Sequence, residues 1–415
     1  MRPGSPAHNT NDEKDSVRGE TSPIEKAMEL HKAGRLAEAE AAYHVLLRQR
    51  PNDADALHFL GMLRAHQSRF PAAIELMQRS LKISPNNPHA WNNLANLLLA
   101  EGREDEAEAA YTRATHLNPD MAEAWFNLGV LLRRKRRPGD AVVSFRRVLD
   151  SNPRFSRAYE SLALLLYRMG QPGLAANTYR KWLEVEPDNA TARHMVAATS
   201  GQDVPERAAD KYVVETFDSF AGRFEQILEK LEYAAPRLLA AALAERVRFG
   251  ENALDILDAG CGTGLCGVLL RSSAKSLVGV DLSPGMLEKA RARGIYDELV
   301  EAELCAAMRA RPAAYDVVNC ADTLVYFGAL EEAMAAAAAC LRPGGVLAFT
   351  VEAEPADSSE RYRLQSHGRY THAGDYVRAA TTAAGFGEPE IEAVVLRKEC
   401  GKDVQGHLVV ARLPT

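Results

Sequence analysis

Asp258 and three glycines at alternate positions, Gly260, Gly262 and Gly264, close the apolar run 254–257. Glycine admits backbone dihedrals that other residues avoid and brings no Cβ, so a ligand can lie against bare peptide N–H groups at such a turn. The apolar run reads as a strand, and Asp258 sits at its mouth, facing whatever occupies the turn. Gly262, Gly264 and Gly267 also spell the dinucleotide pattern G-x-G-x-x-G. A carboxylate repels a diphosphate and attracts an ammonium group. The turn therefore suits a ligand with a cationic head group better than a diphosphate. Asp281 ends a second apolar run, where a carboxylate can accept both ribose hydroxyl protons. Leu282 and Met286 would line an adenine slot beside it. Nicotinamide enzymes share a carboxylate at this place, so Asp281 supports a nucleoside-type ligand without choosing among them.

The acid-x-Gly-x-Gly-x-Gly order at 258–264 resembles the first motif of class I S-adenosylmethionine methyltransferases. The resemblance implies that the turn holds the amino-acid part of S-adenosyl-L-methionine. It also implies an acidic residue after the third strand that accepts the adenine amino hydrogen. Glu303, with the backbone of Leu304, is the matching position, and a shifted register would make it Glu301. The Pro-Gly-Gly turn at 343–345 and two closing alternating runs, 391–396 and 407–412, resemble the same family. Asn319-Cys320-Ala321-Asp322 departs from the Asn/Asp-Pro-Pro-Tyr/Phe sequence of enzymes that methylate base or glutamine amino groups, which lowers the odds for those acceptors and names no other. Asp322, Tyr326 and Glu352 are candidates near the reacting end, and residues 369–372 could reach it. Arg369 has the fork to hold a carboxylate or phosphate. None of these is assigned a catalytic role.

These residues need a scaffold. From 254 onward strand and helix patterns alternate, which implies a parallel sheet with helices on both faces. The fold expected for 211–415 is a Rossmann-like α/β domain with a mostly parallel seven-stranded sheet. Phe217, Phe220 and Phe224 fall on one helix face ahead of it, and a second helix is expected near 234–248. In the resembled family such a helix pair lids the cofactor.

The first half repeats. Pro51, Pro85, Pro119, Pro153 and Pro187 are evenly spaced, with 85−51 = 34 and each later gap the same. Ala39, Ala73, Ala107, Ala141 and Ala175 keep this period, as do a large position (Leu57, Trp91, Trp125, Tyr159) and a small one (Ala27, Gly61, Ala95, Gly129, Ala163). The pattern resembles the tetratricopeptide repeat, an α-solenoid of two-helix units. Five repeats plus a capping helix are expected over 20–200, after a disordered stretch at 1–19 and before a linker at 201–210. Such arrays recruit protein or peptide partners in a concave groove. Asn93 and Asn127 share one slot and could bond a peptide backbone, or merely be solvated. The run 133–137 reads as a solvated cap on a helix C-terminus sooner than as a site for an acidic partner.

Of 415 residues, 47% are hydrophobic and the net charge is −6, which argues against non-specific nucleic-acid binding. No apolar run is long enough to span a membrane, and no signal peptide is expected. The six scattered cysteines are expected to be reduced thiols in a cytoplasmic protein, and no metal-ligand spacing is found. Two other functions compete with methyl transfer: a repeat scaffold with an inert domain, and a nicotinamide oxidoreductase.

Overall fold

The computed structural model describes residues 22–247, 253–399 and 401–415, and the expectation for 1–19 lies outside them. The chain divides between Leu162 and Ala163 into two compact units. That division falls inside the fifth repeat, not in the 201–210 stretch.

The first unit pairs α1 (Pro23–Lys32) with α2 (Leu36–Gln49), α3 (Ala54–His66) with α4 (Phe70–Ile83), α5 (Pro88–Ala100) with α6 (Glu104–Leu117) and α7 (Ala122–Arg134) with α8 (Pro138–Ser151), and it holds the start of α9 (Ser156–Arg168). The small positions are where each pair closes. A Cβ on Gly129 would stand 2.8 Å from Phe145 Cε1. Trp91 and Trp125 each donate their indole N–H to a proline carbonyl, Pro85 O and Pro119 O, at 2.8 Å. This ties the repeat's aromatic to its helix-ending proline. The turn between paired helices is left-handed whatever residue stands there: Gly34 and Gly102 at φ 74°, Ser68 at 58° and Arg136 at 57°.

The asparagine slot braces neighbouring repeats. Asn127 Nδ2 donates to Asn92 Oδ1 at 3.2 Å and Asn93 Nδ2 meets His58 Nε2 at 3.4 Å, while inside one repeat the Tyr111 hydroxyl donates to Asn96 Oδ1 at 2.5 Å. In the basic run, Arg134 pairs with Glu104, Lys135 with Asp105 and Glu108, and Arg137 with Glu108. These three cations reach α6, one repeat back, while Arg134 and Arg137 remain exposed at the end of α7.

The second unit opens with α10 (Pro172–Val185) and α11 (Ala190–Ser200). After them come α12 (Asp210–Phe220), a 3-10 turn at Ala221–Arg223, α13 (Phe224–Lys230) and α14 (Ala235–Arg246). The sheet follows as β1 (Leu254–Ala259), α15 (Leu265–Leu270), β2 (Ala274–Asp281), α16 (Pro284–Arg293), β3 (Glu298–Glu301), α17 (Leu304–Arg309), β4 (Tyr315–Cys320), α18 (Glu331–Cys340), β5 (Leu341–Ala353), β6 (Tyr362–Leu364), β7 (Tyr370–His372), α19 (Gly374–Ala383), β8 (Glu390–Glu399) and β9 (Lys402–Arg412). Strands run β3-β2-β1-β4-β5-β7-β6, with β9 antiparallel to β5 and β8 antiparallel to β9. Successive residues of β1 feed opposite faces: Leu257 packs with Val278, Val318 and Phe349, and Ile256 with Leu277, Val317 and Ala348. Burial on both faces is why the central strands read as continuous apolar runs.

Nine strands stand among the described residues where seven were expected. The surplus is β6–β7, a hairpin whose β7 pairs with Glu352 and Ala353 at the far end of a 13-residue β5. The 201–210 stretch is bound down despite its polar composition. Gly328 and Ala329 donate their N–H groups to Glu206 O, and Ala208 N–H donates to Tyr326 O at 2.8 Å. Next to it, His194 of α11 bonds Gly368 O through Nε2 at 2.9 Å and stacks on Tyr212 at 4.0 Å.

Candidate functional site

A cavity of about 270 Å³ opens beyond the carboxyl ends of the strands, where open α/β sheets hold ligands. It has two halves. One half lies over β1–β3 and is lined by Gly260, Gly262, Asp281, Leu282, Met286, Glu303 and Leu304. The other lies over β4–β8 and is lined by Asp322, Tyr326, Arg369, Arg397 and Glu399. Rings from α12 and α13 cover it. Phe217, Phe220 and Phe224 touch one another with centroids 5.5 to 6.0 Å apart, and Phe217 meets Tyr326 at 5.5 Å.

The glycine turn works differently from the expectation. Four of its N–H groups are engaged within the protein. Gly260 and Cys261 donate to Val280 O, Gly264 donates to Cys261 O, and Gly262 donates to Asp281 Oδ2 at 2.8 Å. The missing side chain at Gly260, at φ 76°, makes room for Thr323, since a Cβ there would stand 2.5 Å from Thr323 Cγ2, whereas a Cβ on Gly262 would meet only Phe224 Cε1 at 3.9 Å.

Asp258 does not line the cavity, and neither does Gly264. Asp258 is 1% exposed beneath the turn, where it accepts from the Tyr296 hydroxyl at 2.6 Å and from Asn319 Nδ2 at 2.9 Å. Burial pushes its carboxyl up to about 6, although both hydrogen bonds lower it. Asp258 therefore anchors the turn from below instead of facing a ligand. Tyr296 was missed because nothing in its local sequence marks it. The signal was Gly267, whose absent Cβ would lie 2.5 Å from Tyr296 Cζ.

Asp281 sits in the cavity wall with one lone pair of each oxygen engaged, Oδ2 by Gly262 N–H and Oδ1 by Ser283 N–H at 2.9 Å. Each oxygen keeps capacity for a further donor. Burial pushes this carboxyl up as well. Glu303 lines the cavity, whereas Glu301 is exposed and does not. Glu303 caps α17, accepting from Cys305 and Ala306 N–H, and pairs with Arg207 at 2.6 Å. Burial pushes it up, but these donors outweigh the effect and hold it below the usual carboxylate range. Glu352 lies under the cavity floor, joined to Arg369 and Arg397. Tyr370, Thr371 and His372 stay outside the lining. Arg397 and Glu399 were not foreseen. They stand in an alternating strand run, where a register shift between Val395 and Arg397 re-aims the backbone.

Comparison with known proteins identifies two kinds of segment in the chain. A methyltransferase-domain family model matches residues 257–349, and a tetratricopeptide-repeat model matches 24–88, 92–154 and 131–191. The chain carries a methyltransferase domain behind tetratricopeptide repeats. Within the methyltransferase domain, the chain is similar to methyltransferase-like protein 27 of Homo sapiens, 42% identical over 20% of this chain and 34% of that protein. It is also similar to a malonyl-[acyl-carrier protein] O-methyltransferase of Enterobacter lignolyticus, 32% identical over 36% of this chain and 57% of the relative. The chain thus spans between about a third and somewhat over half of the length of these relatives. A ubiquinone biosynthesis O-methyltransferase of Thiobacillus denitrificans matches at 34% identity over 23% of this chain and 43% of its own length. Among solved structures, that of MamA aligns at 24% identity and a TM-score of 0.37, covering 39% of this chain and 94% of that one. Among the described residues, no helix is long and apolar enough to cross a membrane.

Proposed function

We propose that the methyltransferase domain binds S-adenosyl-L-methionine over β1–β3 and transfers its methyl group to an acceptor over β4–β8, with the repeats recruiting a protein or peptide partner. The observation that carries this reading is Asp281. Its carboxylate stands at the tip of β2 beside the glycine turn, and each of its oxygens keeps capacity for a ribose hydroxyl. Gly262 would let the amino-acid part of the cofactor lie close. Leu282 and Met286 would flank adenine, and Glu303 with Leu304 would close the far side. When bound, the cofactor supplies a methyl group activated on a positively charged sulfur.

The chain's own residues then have to align two partners and exclude water. The rings of Phe217, Phe220 and Phe224 cover the cavity, and Asp218 holds α12 to the start of α16 by accepting from Ser283 Oγ at 2.5 Å and Gly285 N–H at 3.1 Å. An oxygen acceptor is the second reading, drawn from the names of two relatives.

Titration calorimetry with S-adenosylhomocysteine tests the first reading. Binding is expected, and Asp281→Ala should weaken it by about tenfold or more, since a hydrogen bond to a charged group is worth about 1.5–3 kcal/mol. No heat at millimolar ligand, or tighter binding of NADH, would remove it.

A further inference from the structure

The β4–β8 half of the cavity holds charges that the cofactor reading leaves unused. Arg397, 5% exposed, spreads its guanidinium over three carboxylates: Nε donates to Glu399 Oε1 at 2.8 Å, Nη1 to Asp322 Oδ2 at 2.8 Å, and Nη2 to Glu352 Oε1. Arg369 donates through Nε to Glu352 Oε1 at 2.5 Å and through Nη2 to Glu399 Oε1 at 2.6 Å. His367, 3.5 Å from Glu352, is pushed down to about 4 by burial and adds no charge near pH 7. Two guanidiniums therefore face three carboxyl groups, one acid more than the cations can pair; burial pushes Asp322 up, while Glu352 and Glu399 are held low. Both cations at this end are committed, so Arg369 is not available for the carboxylate or phosphate that its type suggested.

Glu399 takes both guanidinium bonds on Oε1 and lines the cavity, so its second oxygen, Oε2, has capacity for a ligand's donor. Tyr326 and Phe217 supply aromatic walls. Aromatic faces beside a carboxylate favour a group that carries, or gains, positive charge.

We infer that the methyl acceptor is an amine nitrogen on a compact, apolar-bodied molecule, held at Glu399 Oε2, and not a carboxylate or phosphate. This rests on the reading of the β1–β3 half as the cofactor's. The bound ammonium first gives a proton to solvent, which frees the nitrogen lone pair. Its lone pair makes the new N–C bond, the C–S bonding pair stays on sulfur, and the nitrogen carries the positive charge until it gives a proton to solvent past Glu399. The Glu399 carboxylate stabilises that charge as it develops. A hydroxyl acceptor would instead need a base to take its proton. Burial pushes Glu352 and Glu399 up, but the guanidiniums outweigh it and hold both low, which suits charge stabilisation better than proton abstraction.

The test compares benzylamine, benzyl alcohol and benzoate binding to the full chain by ligand-observed NMR, with and without S-adenosylhomocysteine. Benzylamine should bind about tenfold more tightly than benzoate and more tightly than benzyl alcohol. Glu399→Gln, verified as folded by its thermal transition, should abolish that preference. Benzoate or benzyl alcohol binding as tightly as the amine, no binding of any of the three, or a preference that survives in Glu399→Gln would overturn the inference. An intact amine preference in a chain that ignores S-adenosylhomocysteine would reject the cofactor reading instead.

Discussion

The Tyr296 hydroxyl donates to Asp258 Oδ2 at 2.6 Å, from a ring seated where Gly267 and Gly279 lack a Cβ. The third glycine of the dinucleotide-like pattern thus makes room for a tyrosine. Gly267→Ala should lower stability by about 1–3 kcal/mol through overpacking, read as a drop in Tm. Tyr296→Phe should cost a similar amount, about 1–3 kcal/mol, because a buried carboxylate loses its donor. Two variants melting like the parent would show that this contact does not support the turn.

Asp258 should also leave a mark on the pH dependence of stability. Its carboxyl rises from 3.8 to about 6 on folding, with burial the largest cause. A raised carboxyl means that the folded state holds the proton more tightly. Its contribution is therefore full below about pH 4 and is lost as pH rises through about 6. The loss amounts to about 3 kcal/mol at 1.36 kcal/mol per tenfold change in proton affinity. Other carboxylates act in the opposite direction, so the readout is the difference between the parent and Asp258→Asn. Urea unfolding at pH 4 and pH 7 should show the parent losing ground to the variant, and a constant difference would contradict the assignment.

In the repeats, Gly129→Ala puts a Cβ 2.8 Å from Phe145 Cε1. The ring is fully buried and has little room to yield. A loss of about 1–3 kcal/mol is expected. Gly102→Ala is the contrast: a Cβ there meets nothing within 4 Å, and its cost comes only from a left-handed φ of 74°, about 1–2 kcal/mol. A matched pair of denaturant curves tells packing from backbone strain, and a Gly129→Ala curve superimposed on the parent's would refute the close approach.

His194 tests whether α11 supports the reacting end. A carbonyl only accepts, so Nε2 carries the proton toward Gly368 O, next to Arg369. Burial holds this imidazole below its usual range, which keeps it neutral there. His194→Ala should cost about 1–3 kcal/mol and raise amide exchange across 364–370. Unchanged exchange in that turn would mean that α11 does not hold it.

Much of the architecture was legible in the sequence because it is periodic or local. A 34-residue recurrence needs no tertiary information, since each repeat buries the same side chains against its own partner helix. The same holds for β1, β2 and β4, whose apolar runs end at Asp258, Asp281 and Asn319-Cys320. Seven of the nine expected cofactor residues line one cavity, because strand tips in a parallel sheet converge on one edge. Tertiary structure alone decided how they are used. Asp258 turned inward because Tyr296, 38 residues away, claims its oxygen. The asparagine slot and Arg134, Lys135 and Arg137 make contacts between repeats, where sequence shows only polar residues on helices. The charge balance at the reacting end comes from β4, β5, β7 and β8, and no local pattern can state how two guanidiniums from distant segments divide among three carboxylates.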